Sequence, residues 1–249
     1  MIPPSQPARG PLRPWLIVAA LLAATVAAVY HERAGLYQRV AQPAVIRSFH
    51  RIYYNSGPST WENMQWLGTP VEKTPLDLWI FQEIVYQTRP DVIVEAGTYK
   101  GGSALFLANL FDLLGHGQVV TIDIRKYPGL PQHPRIHYLL GSSTAPEIVE
   151  KVKGFLAPHD RVMVVLDSDH SMPHVLAELR LYSKLVTKDN YLIVEDTNLN
   201  GHPVAAGSGP GPMEAVEAFE RENHDFVSDR SREKFLMTFN PKGYLRKVR

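Results

Sequence analysis

The sequence predicts an α/β protein: a doubly wound, mostly parallel sheet of Rossmann-like form that ends in an antiparallel hairpin and is preceded by an N-terminal membrane-anchor helix. Three observations carry that reading. Short β-branched runs recur after Pro90 with helix-length segments between them, the rhythm of buried parallel strands and their crossover helices. Four of the runs end in acids: Val92 to Glu95, Val119 to Asp123, Val162 to Asp167, and Tyr191 to Glu195-Asp196. A glycine-lined turn, Gly97 to Gly102, follows the first run and opens the first helix. Ligands in such sheets sit outside the carboxyl ends of the strands, so the acids are expected to share one rim. An acid there must be solvated, paired or bound to a cation.

The N-terminus opens on a Pro- and Arg-rich tail and then an uncharged run from Trp15 to Tyr30. With its bracketing aromatics the run reads as a single-pass membrane anchor, although slightly shorter than the ~20 residues such a helix needs. A cleaved signal peptide is the rival reading, and no clean small-x-small site precedes His31. Arg9 and Arg13 lie before the run and four arginines follow it, which places the main domain on the cytoplasmic side. Residues 1–34 are therefore read as tail and anchor, 35–89 as a helical cap and 90–249 as the ligand-binding, catalytic domain.

Within the cap, Asn55-Ser56-Gly57-Pro58 breaks a first helix, and a second is expected over about 77–88. Trp61, Trp66 and Trp79 suit either a lid packed on the sheet or a wall facing a ligand. Strands are then expected near 92–95, 118–123, 136–139, 161–167 and 190–195, and helices near 103–114, 145–155, 173–186 and 213–223. The Gly- and Pro-rich stretch 200–212 reads as a loop beside the site. Lys234 to Phe239 and Gly243 to Val248 read as the closing hairpin.

Charge and cysteine content exclude several function classes. With 26 basic and 25 acidic residues, the net charge of +1 gives no bulk grip on nucleic acid. The absence of cysteine removes thiolate metal sites and a thiol nucleophile, so any metal must be held by oxygen or imidazole. The glycine turn departs from the G-x-G-x-x-G spacing of dinucleotide sites, and Glu95 would oppose a pyrophosphate. An acid there suits a cationic or hydroxyl-bearing ligand, and Asp123 is placed to accept hydrogen bonds from a ribose diol.

The pattern strand-E-x-G-x-x-x-G-x-S, followed by an acid ending the second strand, resembles the S-adenosylmethionine site of class I methyltransferases. The stretches VEAGTYKGGSALF, LDSDHS and YLIVEDTNLNG with the later GPGPMEAV are similar to the cephalosporin hydroxylase family, which includes sugar and rhamnosyl O-methyltransferases. The likeness spans roughly residues 50 to 240. It implies that Glu95, Gly97, Thr98, Tyr99, Gly101 and Ser103 contact the methionine portion of the cofactor, that Asp123 holds its ribose, and that Gly141-Ser142-Ser143 border its adenine.

Asp167 and Glu195-Asp196 end neighbouring strands and have no Lys or Arg nearby in sequence, so they would repel one another unless protonated or neutralised by a cation. Hard oxygen donors suit Mg²⁺. The set resembles the magnesium site of catechol-type O-methyltransferases, which implies Asp167, Glu195 and Asp196 as ligands. His170, three residues past Asp167, departs from the lysine those enzymes carry there; its neutral imidazole is suited to take the hydroxyl proton, which makes His170 and Asp167 the catalytic candidates. Asp169 and His202 are lesser candidates for that work. The implied activity is Mg²⁺-dependent methyl transfer to a hydroxyl of a sugar, glycolipid or related metabolite, free or lipid-linked. A nicotinamide-dependent oxidoreductase and a non-catalytic binding scaffold are the alternatives, and a homo-oligomer is admissible.

Overall fold

Side-chain alternation along the apolar runs sends Val92, Val94 and Ala96 into one buried layer and Ile93 into the other, so the sheet they form is covered on both faces. The computed structural model describes residues 14–249. Its contacts divide the chain into two units, Met1–Ser48 and Phe49–Arg249.

In the first unit, helix α1 (Pro14–Leu36) runs through a π-helical turn, Tyr37–Ala41, into α2 (Gln42–Asn55), which continues into the second unit. Among the described residues no helix is long and apolar enough to cross a membrane, so the expected anchor is not supported. The uncharged run stops at Tyr30, and His31, Glu32 and Arg33 continue the same helix. The tail at residues 1–13, with Arg9 and Arg13, lies outside the described residues.

In the second unit a two-stranded ribbon, β1 (Gln65–Trp66) and β2 (Thr69–Pro70), turns through Leu67-Gly68. Helix α3 (Pro75–Thr88) starts where Thr74 caps it and Pro75 supplies a preset φ. Then follow β3 (Val92–Ala96), α4 (Gly102–Leu114), β4 (Gln118–Asp123), β5 (Ile136–Leu140), α5 (Pro146–Lys153), β6 (Val162–Leu166), α6 (Met172–Tyr182), β7 (Tyr191–Val194), α7 (Pro212–Glu222), β8 (Phe226–Ser228) and β9 (Tyr244–Lys247). The sheet order is β5-β4-β3-β6-β7-β9-β8; the first five strands are parallel, and β9 runs antiparallel to both its neighbours, β7 and β8. Helices α3 and α4 pack on one face, and α5, α6 and α7 on the other. The chain leaves β3 toward β5 and returns to β6 on β3's other side, which makes the carboxyl ends of β3 and β6 the switch point.

The closing hairpin differs from expectation in its first strand. Residues 234–239 are not extended into the sheet; β8 takes that place beside β9. The reason is a buried carboxylate. Asp77 on α3 accepts hydrogen bonds from the Thr238 hydroxyl and, at 2.9 Å, from the Phe239 N–H, so these residues bond to a helix rather than to a ladder.

Candidate active site

The turn after β3 is shaped by how closely two strands approach. Gly97 has φ +100°, and a Cβ built there would lie 1.9 Å from the Asp167 carbonyl oxygen, so only glycine fits. Tyr99, at φ +47°, points its N–H back to Asp123 Oδ2 at 2.8 Å, and the Arg125 N–H reaches Asp123 Oδ1 at 2.9 Å. Gly101, at φ +79°, is the N-cap of α4. Beneath the turn Glu95 is wholly buried: Oε2 accepts from Thr121 Oγ1 at 2.7 Å, and Thr121 Oγ1 lies 2.7 Å from Thr98 Oγ1, while Oε1 has no hydrogen-bond partner among the described residues. Burial pushes the Glu95 carboxyl up, against the pull of the Lys73 ammonium.

Parallel register sets Leu166 beside both Ala96 and Val194, so the residues just past β6 and β7 emerge together. Asp167 and Glu195 do not face each other bare. Lys73, only 4% exposed, donates to Asp167 Oδ2 and to Glu195 Oε1 at 2.6 Å each. Burial raises the Glu195 carboxyl well above its ordinary range, and Lys73 works against that rise. Asp196 turns away from its neighbour at φ +56°, a left-handed conformation that Asp tolerates, with its N–H bonded to Asn240 Oδ1 at 3.1 Å. Its Oδ2 lies 3.3 Å from His170 Nε2. Burial pushes Asp196 up; His170 pulls it down and Asp167 adds to the rise.

Donor atoms of Asp167, His170 and Asp196 all lie within 4.8 Å of one another, a spacing that can hold a metal ion. Of the three acids expected as ligands, the structure brings Asp167 and Asp196 together with His170, Glu195 lies outside that group, and Lys73 holds both Glu195 and Asp167. Asp169 is held by the Ser171 N–H at the start of α6 and stands outside the cluster. His202 is bonded to Glu214 at 2.9 Å and is likewise outside it.

A cleft of about 740 Å³ opens over this rim. Gly97, Tyr99, Asp123, Ser142 and Ser143 line it toward β4 and β5; Asp167, His170 and Asp196 line it at β6 and β7. Thr98 lines an adjoining cleft of about 680 Å³ that shares Asp123. Glu95, Gly101, Ser103 and Glu195 are not part of either lining. No residue of the loop at 200–212 lines the cleft; Leu199, just before it, does.

The sequence profile described as Rhamnosyl O-methyltransferase/CmcI matches residues 58–248. The chain belongs to this family. It is 39% identical over 209 residues to the rhamnosyl O-methyltransferase of Mycobacterium bovis (strain BCG / Pasteur 1173P2), covering 81% of this chain and 84% of that one. The Mycobacterium leprae (strain TN) rhamnosyl O-methyltransferase is 39% identical over 208 residues, 81% and 90% of the two chains. Among solved structures, one described as CmcI-N160 apo-structure superposes with a TM-score of 0.58 at 23% identity, over 76% of this chain and 77% of that one. Another, cmcI-D160 Mg-SAM, gives 0.58 at 21%, over 76% and 78%. The expected Rossmann-like methyltransferase fold is thus met.

Three features of this family member escape a reading of its sequence. Lys73 is one: its partners lie 94 and 122 residues away, and the sole local signal is a basic residue set just before a Thr-Pro helix start. Glu178 on α6 is another. Wholly buried, it accepts from the Ser143 hydroxyl and, at 2.7 Å, from the Ser168 hydroxyl, and so ties the turns after β5 and β6 together. Its hydrogen bond also raises the His174 imidazole. The third is the division of labour among the tryptophans. Trp66 packs edge-on against Phe106 and donates to Asn109 Oδ1 at 2.9 Å, Trp79 is exposed, and Trp61 lines the cleft.

Proposed function

We propose that the protein is a Mg²⁺-dependent, S-adenosylmethionine-dependent O-methyltransferase whose acceptor is a hydroxyl of a sugar, free or carried by a glycolipid or related metabolite. The observation that carries the reading is the Asp167–His170–Asp196 cluster, set in the same cleft as the glycine turn and Asp123. The family relatives named above as rhamnosyl O-methyltransferases support it, as does a similar fold described with Mg-SAM.

The residues fit both cofactors. Glu95 Oε1 is a buried acceptor without a hydrogen-bond partner among the described residues, the kind of atom a donor ammonium would satisfy through the glycine turn. Asp123 has a second lone pair free on each oxygen for a diol, and Ser142 and Ser143 border the base. Asp167 and Asp196 are hard oxygen donors for Mg²⁺, and Glu195 joins them only by loosening its bond to Lys73. When bound, the two cofactors supply an electrophilic methyl group and a lowered hydroxyl pKa.

The chain's own residues do the rest. His170 accepts the acceptor's hydroxyl proton at its imidazole, and Asp196, 3.3 Å away, stabilises the imidazolium so formed. Lys73 holds Asp167 and Glu195 in place, so the rim is organised before any reactant arrives. Much of the acceleration comes from holding hydroxyl and methyl in line.

Calorimetric titration of the purified full chain with S-adenosylmethionine, with and without Mg²⁺, followed by transfer of labelled methyl to methyl rhamnoside, tests this. Saturable donor binding and a chelator-sensitive labelled product are expected. A folded protein that binds no donor overturns the reading.

A further inference from the structure

One wall of the cleft is aromatic. Tyr54, at the end of α2, and Trp61, in the 3₁₀ turn that follows, line it with Leu199 and Glu72. Their rings are stacked, with centroids 5.3 Å apart and planes 21° from parallel, and both are half-buried, so part of each ring system is left to the cleft. Phe239 braces the pair edge-on at 5.7 Å from each ring. The Phe239 carbonyl accepts the Asn198 N–H at 3.0 Å, which ties the aromatic wall to the chain just past Asp196.

The order of strands fixes what stands where. Asp123 and Ser142-Ser143 follow β4 and β5 at one end, Gly97 follows β3, Asp167 and Asp196 follow β6 and β7, and the aromatic wall is tied through Phe239 to Asn198, two residues past Asp196. Asp123 and Ser142-Ser143, proposed for the ribose and base, therefore follow other strands than β7, to whose trailing segment the wall is tied.

The indole N–H of Trp61 is spent internally, on the Tyr54 carbonyl at 3.0 Å. Trp61 has no other polar side-chain atom, so what it presents to a ligand is π surface alone. Such a face attracts the weakly positive hydrogens of C–H groups. In the same cleft, Glu72, His170 and Asp196 offer polar atoms. One apolar wall facing several hydrogen-bonding groups suits a molecule with an apolar face and a hydroxylated rim, which a pyranose is.

We propose that Tyr54 and Trp61 form the acceptor subsite, Trp61 stacking on the C–H face of the sugar ring with Tyr54 behind it, and so presenting one of its hydroxyls to Asp167, His170 and Asp196. The proposal rests on the sugar O-methyltransferase reading and names the residues that select its acceptor.

The test uses the full chain as wild type, Trp61→Leu and Trp61→Phe, with methyl rhamnoside as probe. Three quantities are read: donor Kd by calorimetry, acceptor KM and kcat at saturating donor and Mg²⁺, and saturation-transfer NMR of the rhamnoside. Trp61→Leu is expected to raise the acceptor KM by about ten-fold or more and to weaken the NMR transfer, with donor Kd within about two-fold of wild type. Trp61→Phe, which keeps an aromatic face, falls between, and its unchanged donor Kd shows that the fold is intact. An active wild type whose acceptor KM is untouched by Trp61→Leu overturns the subsite and leaves the methyltransferase reading standing. A wild type that binds donor and methylates only non-sugar hydroxyls overturns the subsite and the sugar acceptor together. If the donor does not bind at all, the NMR experiment still decides: transfer to the rhamnoside that Trp61→Leu abolishes supports the subsite, and its absence in wild type overturns it.

Discussion

Lys73 donates to the Glu195 carboxylate at 2.6 Å, and the same ammonium holds Asp167, so one buried cation from the start of α3 balances acids from two strand ends. Removing one partner of such a set leaves charge buried without compensation. Lys73→Met is expected to cost about 3–5 kcal/mol in urea unfolding, and Glu195→Gln placed on top of it is expected to recover part of that loss. A single variant as stable as wild type would show that the ion pair does not organise the rim.

His170 lies on the cleft beside Asp196 and is the imidazole of the acidic cluster. His170→Ala is expected to lower kcat by about 10²–10⁴-fold while donor Kd stays near the wild-type value. A matching loss of donor affinity would instead give His170 a binding role.

Asp196 has its carboxylate in the cluster and takes a left-handed backbone to put it there. Asp196→Asn keeps the shape and removes a charge. The Mg²⁺ concentration needed for half-maximal turnover is expected to rise roughly 10–100-fold, and a chelator is expected to abolish turnover in wild type. Metal-independent activity in both proteins would remove the ion from the mechanism.

What the sequence discloses of all this follows physical range. The parallel strands and their acids are local patterns, apolar runs closed by Glu95, Asp123, Asp167 and Glu195, and they were legible as such. The Lys73 pair is not, because no spacing in the chain announces a contact made across the fold. The misplaced closing strand has the same origin: residues 234–239 carry a strand-like pattern, but Asp77 takes the Thr238 hydroxyl and the Phe239 N–H. The apolar run from Trp15 forms a helix as its composition dictates, yet the helix continues into His31, Glu32 and Arg33. Among the tryptophans, composition alone could not say that Trp66 would find Asn109 and Trp61 the Tyr54 carbonyl.

Gly97→Ala tests the close approach of β3 and β6. At φ +100°, with backbone 1.9 Å from the added methyl, the turn must shift. A loss of about 2 kcal/mol or more is expected, together with weakened donor binding, read by thermal unfolding and calorimetry. An alanine variant with normal stability and affinity would mean that the turn is not held as seen.

His50 makes stability depend on pH. It is 4% exposed, stacked on Phe239 at 5.6 Å and hydrogen-bonded to Asn198 at 3.0 Å, and burial lowers its imidazole from 6.5 to about 4. Between those values the unfolded chain binds the proton and the folded chain does not. Stability from this group is therefore complete above pH 6.5 and is lost as pH falls toward about 4, by an amount on the order of 3 kcal/mol. His50→Gln retains a partner for Asn198 and does not titrate. Urea midpoints taken at about pH 7.5 and about pH 4.5 are expected to separate less for the variant than for wild type. Equal separations would show that His50 is not the buried neutral group that carries the acid sensitivity.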